Sequence, residues 1–145
     1  METIHLIPDD APCPPNQTIF QGFEWYIPAD HQHWTRLAAL MPRLAALGIT
    51  SMWIPPAYKG AWFTSNGYDV YDLYDLGEFQ QRGARCTKWG TKEELASLVD
   101  AANRNGIGIL FDAVLNHRTG ADRTEKVVAV KVDAEGMYCV LEGFG

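Results

Sequence analysis

Short β-prone runs alternate with amphipathic helical stretches along this chain, and no other feature limits its fold as strongly. The β-prone runs cover residues 18–23, 49–54 and 107–111, and helical periodicity covers most of 34–47 and 91–105. The strand-helix-strand order occurs twice, which predicts two βαβ crossovers and a parallel sheet. The run 107–111 is almost continuously apolar, as is typical of a strand buried on both faces. The sequence therefore predicts an α/β fold.

Proline, glycine and capping residues predict where the helices begin and end. Pro42 would break an uninterrupted helix, so we expect one helix before it and a second that starts with it and stops at Gly48. Thr91 and Glu94 have the spacing of a capping box, and Gly106 follows the last helical residues.

Periodicity does not distinguish a doubly wound sheet from a barrel. A nucleotide-binding sheet needs a glycine-rich turn after its first strand, so that the backbone can approach a pyrophosphate. Residues 24–28 occupy that turn here and are bulky and aromatic. The dinucleotide-binding alternative is therefore disfavoured.

Charge and composition argue against several kinds of partner. The formal net charge is −6, so a polyanion such as nucleic acid gains no electrostatic attraction. No apolar run approaches the roughly 20 residues of a membrane-spanning helix, and the basic residues are too scattered for a membrane-surface patch. The N-terminus lacks the basic start and apolar stretch of a secretory signal, which predicts a cytoplasmic protein whose three cysteines are free thiols.

A long connection from residue 57 to 89 separates the second predicted strand from the helix that begins near 91. Connections of this length are usually functional or disordered, and five aromatic residues between Trp62 and Tyr74 argue against disorder. Its acidic residues are expected to form a solvated or hydrogen-bonded loop rather than a catalytic pair: Asp69, Asp72, Asp75 and Glu78.

Polar side chains follow the third predicted strand directly. Asp112, Asn116 and His117 lie there, and in barrels built from βα units the functional residues lie where strands end. The alternative is that Asp112 and Asn116 only satisfy local backbone groups. The pattern by itself leaves both interpretations open.

The stretch DAVLNH at residues 112–117 resembles the first conserved motif of glycoside hydrolase family 13, the α-amylase family. Four further stretches strengthen the resemblance, in the correct order: GFEWY from Gly22, WIPPAYKG from Trp53, GYDVYDLYDLGEF from Gly67 and WGTKEEL from Trp89. Together they resemble liquefying bacterial α-amylases and their intracellular fungal relatives. The resemblance runs from about residue 16 to 133.

The resemblance implies a (β/α)8 barrel, of which this chain would hold the N-terminal part with about three strands. It divides the chain into an irregular lead-in over 1–15, three βα units over 16–117, and the start of an inserted β-rich domain over 118–145. An open piece of a barrel exposes a strand edge and an uncovered apolar face, so we expect the isolated chain to be poorly soluble or partly molten.

The resemblance also implies roles for individual residues. Asn116 corresponds to a ligand of a structural Ca²⁺, and an amide oxygen suits that ion. His117 would bind sugar hydroxyls, Tyr68 would form an aromatic platform under the sugar that is cleaved, and Asp112 would support the charge network. Trp62 and Phe63 lie where the chain departs from the bacterial pattern, and a loop anchor is preferred there over an extra sugar contact. For Tyr71 and Tyr74 we expect core packing.

The implied activity is retaining hydrolysis of α-1,4-glucosidic bonds in starch, glycogen or malto-oligosaccharides. Such hydrolysis needs two carboxyl groups roughly 5 Å apart. In this family the nucleophilic Asp, the acid/base Glu and a third Asp follow later strands, so we expect them beyond the chain end and expect no turnover from this chain alone. A related α-glucan transferase or α-glucosidase, and a non-catalytic fragment with weak glucan binding, are the alternatives. No protein partner is inferable.

Overall fold

The computed structural model describes residues 16–123, 129–132 and 138–141. The elements follow the predicted alternation of strands and helices, and the long connection contains an additional two-stranded sheet. In chain order they are β1 (Ile19–Gln21), α1 (His33–Ala46), β2 (Ser51–Ile54), β3 (Lys59–Gly60), β4 (Val70–Asp72), α2 (Lys92–Arg104), β5 (Gly108–Phe111), β6 (Ala129–Val132) and β7 (Tyr138–Leu141).

The main sheet consists of three parallel strands in the order β1-β2-β5. Phe20 is in register with Met52, and Met52 is in register with Ile109. Both connections between neighbouring strands contain a helix, as parallel pairing requires. The predicted α/β architecture with two βαβ crossovers is confirmed.

The two helices pack against each other and cover one face of this sheet. Trp34 and Met41 of α1 and Leu98 of α2 are fully buried there, together with Met52 and Ile54 of β2. Burial of each large apolar side chain stabilises the fold by roughly 1.5–3 kcal/mol. The carboxyl ends of the three strands are thereby held at one edge of a well-packed layer.

Helix α1 is a single helix, so the prediction of two helices divided at Pro42 is wrong. Its buried stripe continues through the proline, from Trp34 and Leu37 to Met41 and Leu44. Pro42 removes one backbone donor, but the packing of this stripe on both sides keeps the turn helical. The helix ends as predicted before Gly48, which has a φ of 80°.

Helix α2 begins with the predicted capping box. The Thr91 hydroxyl accepts a hydrogen bond from the Glu94 backbone N–H at 3.3 Å, and the Glu94 carboxylate accepts one from the Thr91 backbone N–H at 2.8 Å. The apolar spacing predicts a buried stripe of Leu95, Leu98, Val99 and Ala102. Leu95, Leu98 and Ala102 are buried, whereas Val99 is half-buried and Ala101 is buried in addition.

Strand β5 is not buried on both faces, contrary to the sequence prediction. Ile109 packs against the helical layer, whereas Leu110 and Phe111 are 43% and 45% exposed. Within the described residues, helices cover one face of the sheet and β5 forms its edge. An apolar run shows that both faces of a strand are hydrophobic, but it does not show which of these faces is covered by other elements.

The connection between β2 and α2 is ordered around a buried lysine. Lys59 and Asp75 are both fully buried and form an ion pair at 3.3 Å. The Lys59 ammonium nitrogen also lies 2.6–3.3 Å from four backbone carbonyl oxygens, which share its three N–H groups with Asp75: those of Phe79, Ala84, Arg85 and Cys86. The prediction of a hydrogen-bonded acidic loop is confirmed.

The expectation of core packing is wrong for both Tyr71 and Tyr74, because Tyr74 is 88% exposed and the half-buried Tyr71 belongs to neither apolar cluster. The Tyr71 hydroxyl donates to Asp122 at 3.1 Å, and the Arg82 guanidinium lies 4.3 Å from the Tyr71 ring centroid. Both side chains lie on the connection, outside the two apolar clusters.

Strands β6 and β7 form a separate antiparallel pair. The proposed division at residues 117 and 118 stays a prediction, and the lead-in over 1–15 lies outside the described residues. Among the helices of the described ranges, none combines the length and apolar character needed to cross a membrane.

Candidate functional site

The polar residues predicted to be functional meet at the carboxyl ends of β2 and β5. Asp112 follows β5, and its Oδ2 accepts hydrogen bonds from the Tyr68 hydroxyl at 2.6 Å and from Trp53 Nε1 at 3.2 Å. Trp53 belongs to β2, whereas Tyr68 comes from the long connection. Three distant parts of the chain are thus joined at one carboxylate.

Burial raises the pKa of the Tyr68 hydroxyl well above its ordinary value, and the hydrogen bond to Asp112 raises it further. The phenol therefore stays protonated near neutral pH and continues to donate to Asp112. Gly67 sets the entry of the chain to this residue, with a φ of 92°. A Cβ on Gly67 would lie 2.7 Å from the Pro56 carbonyl oxygen, so a larger residue is disfavoured by both backbone conformation and space.

His117 and Asn116 join the same group through the Tyr68 backbone. His117 Nε2 donates to the Tyr68 carbonyl oxygen at 2.7 Å, because a carbonyl oxygen can only accept. Its Nδ1 then accepts from Asn116 Nδ2 at 3.0 Å. Because Nδ2 of Asn116 donates to His117, the Asn116 Oδ1 atom is the one that can accept a hydrogen bond or bind a cation. The structure thus brings together all four predicted site residues, and their roles stay predictions.

The segment after β5 is fastened to the long connection at two further points. The Val114 backbone N–H donates to the Tyr58 hydroxyl, and the Gly120 backbone N–H donates to the Val70 carbonyl oxygen at 2.8 Å. Tyr58 also contacts Phe111 edge-on, with ring centroids 5.7 Å apart. These contacts position the segment that carries Asp112.

Sequence reasoning did not single out Trp25, which stacks on Tyr68. Their ring centroids lie 5.5 Å apart with an angle of 19° between the planes. The Trp25 carbonyl oxygen accepts from Asn66 Nδ2 at 3.1 Å and from the Lys88 ammonium at 3.4 Å. A signal was available, because Trp25 follows β1 and the carboxyl ends of parallel strands share one edge.

An open cleft of about 390 Å³ lies beside this stack. Its aromatic lining consists of Trp25, Trp62 and Tyr68, and Asn66 and Asp69 are among its polar lining residues. Clefts that bind small molecules have a similar size and the same mixture of apolar walls and a few polar groups. The cleft is continuous with the group around Asp112 because Tyr68 belongs to both.

A calcium ion fits the described residues only in part. Asn116 offers a neutral oxygen of the kind that Ca²⁺ accepts, but this ion takes six to eight oxygen ligands. Over residues 16–123, no group of three or more His, Cys, Asp or Glu side chains is arranged to hold a metal ion. The described residues therefore do not make a calcium site by themselves.

Comparison with known proteins identifies the family to which this arrangement belongs. Residues 33–135 match the family model for the alpha amylase catalytic domain. The chain belongs to the α-amylase family. The predicted barrel architecture is thereby confirmed, and the parallel sheet of β1, β2 and β5 is part of an α-amylase-type TIM barrel.

Individual relatives agree with this assignment. The chain is 49% identical over 97% of its length to an alpha-amylase of Bacillus licheniformis, covering 28% of that protein. It is 51% identical over 81% of its length to the glucan 1,4-alpha-maltohexaosidase of Bacillus sp. strain 707, covering 23% of it. It is 46% identical over 83% of its length to the cytoplasmic alpha-amylase of Escherichia coli K12, covering 24% of it. The chain thus spans about a quarter of the length of these curated relatives.

The fold also resembles a solved structure. Truncated alternansucrase from Leuconostoc mesenteroides aligns with a TM-score of 0.67 and 27% identity, over 85% of this chain and 12% of that one. The likeness covers most of the chain and agrees with the barrel assignment.

Proposed function

We propose that this chain supplies part of the sugar-binding site of an α-amylase-type glycosidase. Such an enzyme hydrolyses α-1,4-glucosidic bonds in starch, glycogen or malto-oligosaccharides. Membership of the family supports the chemistry, and the names of the relatives from the two Bacillus sources support the α-1,4-glucan substrate. In this proposal Tyr68, Asp112 and His117 bind the glucosyl unit at the cleaved bond.

The observation that carries the proposal is the clamp on Tyr68. Its hydroxyl is held by Asp112 and its backbone carbonyl by His117, so both ends of the residue are fixed. A fixed ring offers an apolar face to the C–H groups of a sugar at little cost in conformational entropy. In this proposal the imidazole and the carboxylate that hold Tyr68 are also the groups that meet the sugar hydroxyls.

Asp112 is a positioning residue in this proposal rather than the nucleophile. Two donors, the Tyr68 hydroxyl and Trp53 Nε1, share its Oδ2, so this oxygen is engaged in holding neighbouring side chains. Retaining hydrolysis requires a separate pair of carboxyl groups, one as nucleophile and one as acid and base. We expect that pair outside this chain, so the chain alone should bind glucan without cleaving it.

Titration of the 145-residue chain with maltoheptaose, followed by calorimetry, tests this proposal. We expect saturable binding, no reducing sugar released from soluble starch, and affinity about tenfold weaker in Tyr68→Ala because the platform ring is lost. Tyr68→Phe keeps the ring and should stay within about threefold of the wild type. Tyr74→Ala, a change at an exposed ring of the same connection, should have no effect. Absence of binding, or equal affinity for Tyr68→Ala, would contradict the proposal.

A related α-glucan transferase or α-glucosidase is the second candidate, and the likeness to alternansucrase is the observation that supports it. The two are separated by the products of the complete protein that carries this segment. A hydrolase releases shorter malto-oligosaccharides from maltoheptaose, whereas a transferase also produces longer ones.

Calcium binding and location are separate parts of the proposal. Asn116 is proposed as one oxygen ligand of Ca²⁺, with the other ligands outside the described residues. A calcium-dependent rise in melting temperature that Asn116→Ala abolishes would support this role. A cytoplasmic location is proposed from the likeness to the Escherichia coli relative, and cell fractionation tests it.

A further inference from the structure

A second open cleft, of about 550 Å³, lies beside the segment that follows His117 in the chain. One aromatic ring, one alanine, two guanidinium groups and one carboxylate line it: Tyr71, Ala121, Arg118, Arg123 and Asp122. It shares no lining residue with the aromatic cleft beside Tyr68. Clefts of this size hold small ligands, and two of the three charged groups in this one are cationic.

We infer that this cleft binds a phosphate monoester, carried by a small phosphorylated sugar or by a phosphorylated glucan. A phosphate monoester carries a charge of about −1.5 to −2 near pH 7, which two guanidinium groups balance. The planar guanidinium also matches phosphate oxygens with paired N–H donors. A carboxylate ligand would balance only one of the two cations. The inference is independent of the proposed function, because the candidate sugar-binding residues Tyr68, Asp112 and His117 are not part of this cleft.

The one carboxylate of the cleft is already paired, so it does not cancel the charge of the two lining arginines. Asp122 Oδ1 accepts a hydrogen bond from the Tyr71 hydroxyl at 3.1 Å and lies 3.5 Å from Arg82 Nη1. Arg82 is not a lining residue, and its charge balances that of Asp122. The cleft therefore keeps a net positive charge from Arg118 and Arg123.

Both lining arginines are available to an anion in the open cleft. A guanidinium does not lose its proton in proteins, so its positive charge is present at every physiological pH. Both residues are exposed, and over residues 16–123 neither forms an ion pair. The hydrogen bond to Asp122 raises the pKa of the Tyr71 hydroxyl, and the positive charges of Arg82 and Arg118 act in the opposite direction. Arg118 thus contributes positive potential inside the cleft.

Contacts with the long connection hold the wall of the cleft in place. A Cβ on Gly120 would lie 2.8 Å from the Asp69 carbonyl oxygen, so residues 118–123 pack against the connection at a distance that only glycine allows. Arg82 Nη2 donates to the Ala121 carbonyl oxygen at 3.1 Å. The two lining arginines therefore extend from a backbone that is fixed between them.

Arg82 is itself fixed on the connection. Its Nε donates to the Ala61 carbonyl oxygen at 2.9 Å, and its carbonyl oxygen accepts from the Phe63 backbone N–H at 3.0 Å. Half-buried Phe63 is therefore the loop anchor that the sequence predicts, whereas Trp62 is 54% exposed and is not an anchor. An anion meets walls that are positioned before it binds, which reduces the entropy lost on binding.

Calorimetric titration of the 145-residue chain with glucose 6-phosphate tests this site, with near-ultraviolet circular dichroism as the check on folding. We expect saturable binding that weakens as sodium chloride is added, and no binding of glucose at the same concentrations. Arg118→Gln and Arg123→Gln should each weaken binding about tenfold, because each removes charge-assisted hydrogen bonds to the phosphate. Arg43→Gln is the matched control, at an exposed arginine of α1 outside the cleft, and should bind as the wild type.

Asp122→Asn gives a test of the opposite sign. The amide keeps an acceptor oxygen for the Tyr71 hydroxyl but removes the one negative charge of the cleft, so glucose 6-phosphate should bind about threefold tighter. Weaker binding by a folded Asp122→Asn protein would contradict an anion site.

Further ligands distinguish the source of the phosphate. Tighter binding of a phosphorylated malto-oligosaccharide than of glucose 6-phosphate would assign the cleft to a phosphorylated glucan, and equal or weaker binding would assign it to the small phosphorylated sugar. Unchanged affinity in both arginine variants, equal binding of glucose, or no binding by the folded wild-type chain would overturn the inference. Tighter binding of a single-stranded oligonucleotide would assign the arginines to nucleic acid and overturn it as well.

Discussion

At the scale of single residues, the buried Lys59 ammonium organises more of the chain than any other polar group of the connection. It forms an ion pair with Asp75 and lies within hydrogen-bond distance of four backbone carbonyl oxygens. Burial would raise the pKa of the Asp75 carboxyl, but hydrogen bonds from Gln81 and from backbone N–H groups, together with Lys59, hold it below its ordinary value. The carboxylate therefore stays charged and paired at neutral pH.

Replacement of Lys59 by methionine should strongly destabilise the chain. The change leaves the Asp75 charge buried without its partner, which costs about 3–5 kcal/mol in the free energy of unfolding. Urea denaturation measures this loss. Lys92→Met is the matched control, because Lys92 forms an exposed pair with Glu78 and should cost at most about 1 kcal/mol. Equal losses in both variants would contradict the prediction.

His33 should make stability depend on pH. Burial lowers the pKa of its imidazole below 6.5, despite the hydrogen bond from Nε2 to the Gly22 carbonyl oxygen. A lowered pKa in the folded state means that the stabilisation is complete above 6.5 and is lost as the pH falls through the folded-state value. The melting temperature should therefore fall between pH 7.5 and pH 5, and less steeply in His33→Gln. Parallel pH profiles for the two proteins would contradict this assignment.

At the scale of elements, one helix is determined by a local sequence signal and the other by tertiary packing. Helix α2 begins at a capping box formed by residues three apart, and its start follows from that spacing alone. Helix α1 has no side-chain cap and contains Pro42, so its continuity depends on the buried stripe from Trp34 to Leu44. The start of α2 is therefore set by its N-terminal capping box, whereas the continuity of α1 is set by the surface on which it packs.

Removal of the Thr91 cap should weaken α2 by a measurable amount. Thr91→Ala removes the acceptor for the Glu94 backbone N–H and should lower the free energy of unfolding by about 1 kcal/mol. Thr91→Ser keeps the hydroxyl and should stay close to the wild type. Urea titration of the three proteins compares them, and an Ala variant as stable as the Ser variant would be evidence against a stabilising cap.

At the scale of the whole molecule, the described sheet has one covered face and one open face. Ile19, Leu110 and Phe111 are all more than one third exposed, and β1 and β5 form the two edges of the described sheet. Unpaired strand edges and exposed apolar side chains promote association between chains. The remaining strands of a barrel would cover both.

The 145-residue chain should therefore self-associate at micromolar concentration and bind the hydrophobic dye ANS. Light scattering after size-exclusion chromatography measures the first property and fluorescence the second. Leu110→Lys places a charge on the open face and should reduce association, whereas Leu47→Lys, at an exposed position after α1, should not. A monomeric wild-type chain with a cooperative thermal transition would contradict the prediction that the open face causes self-association.

The sequence by itself determined the order of β1, α1, β2, α2 and β5, the cap of α2 and the helix stop at Gly48. It also indicated the family, through the stretch at 112–117 together with the four stretches that precede it. These features depend on residues close together in the chain, where periodicity and spacing act directly.

Only the tertiary structure decided the features that join distant segments. The continuity of α1 through Pro42, the burial of Lys59, the exposure of β5 and the stack of Trp25 on Tyr68 all depend on neighbours far away in the sequence. Packing and burial are properties of such neighbours, and a linear pattern does not specify which segments become neighbours in space.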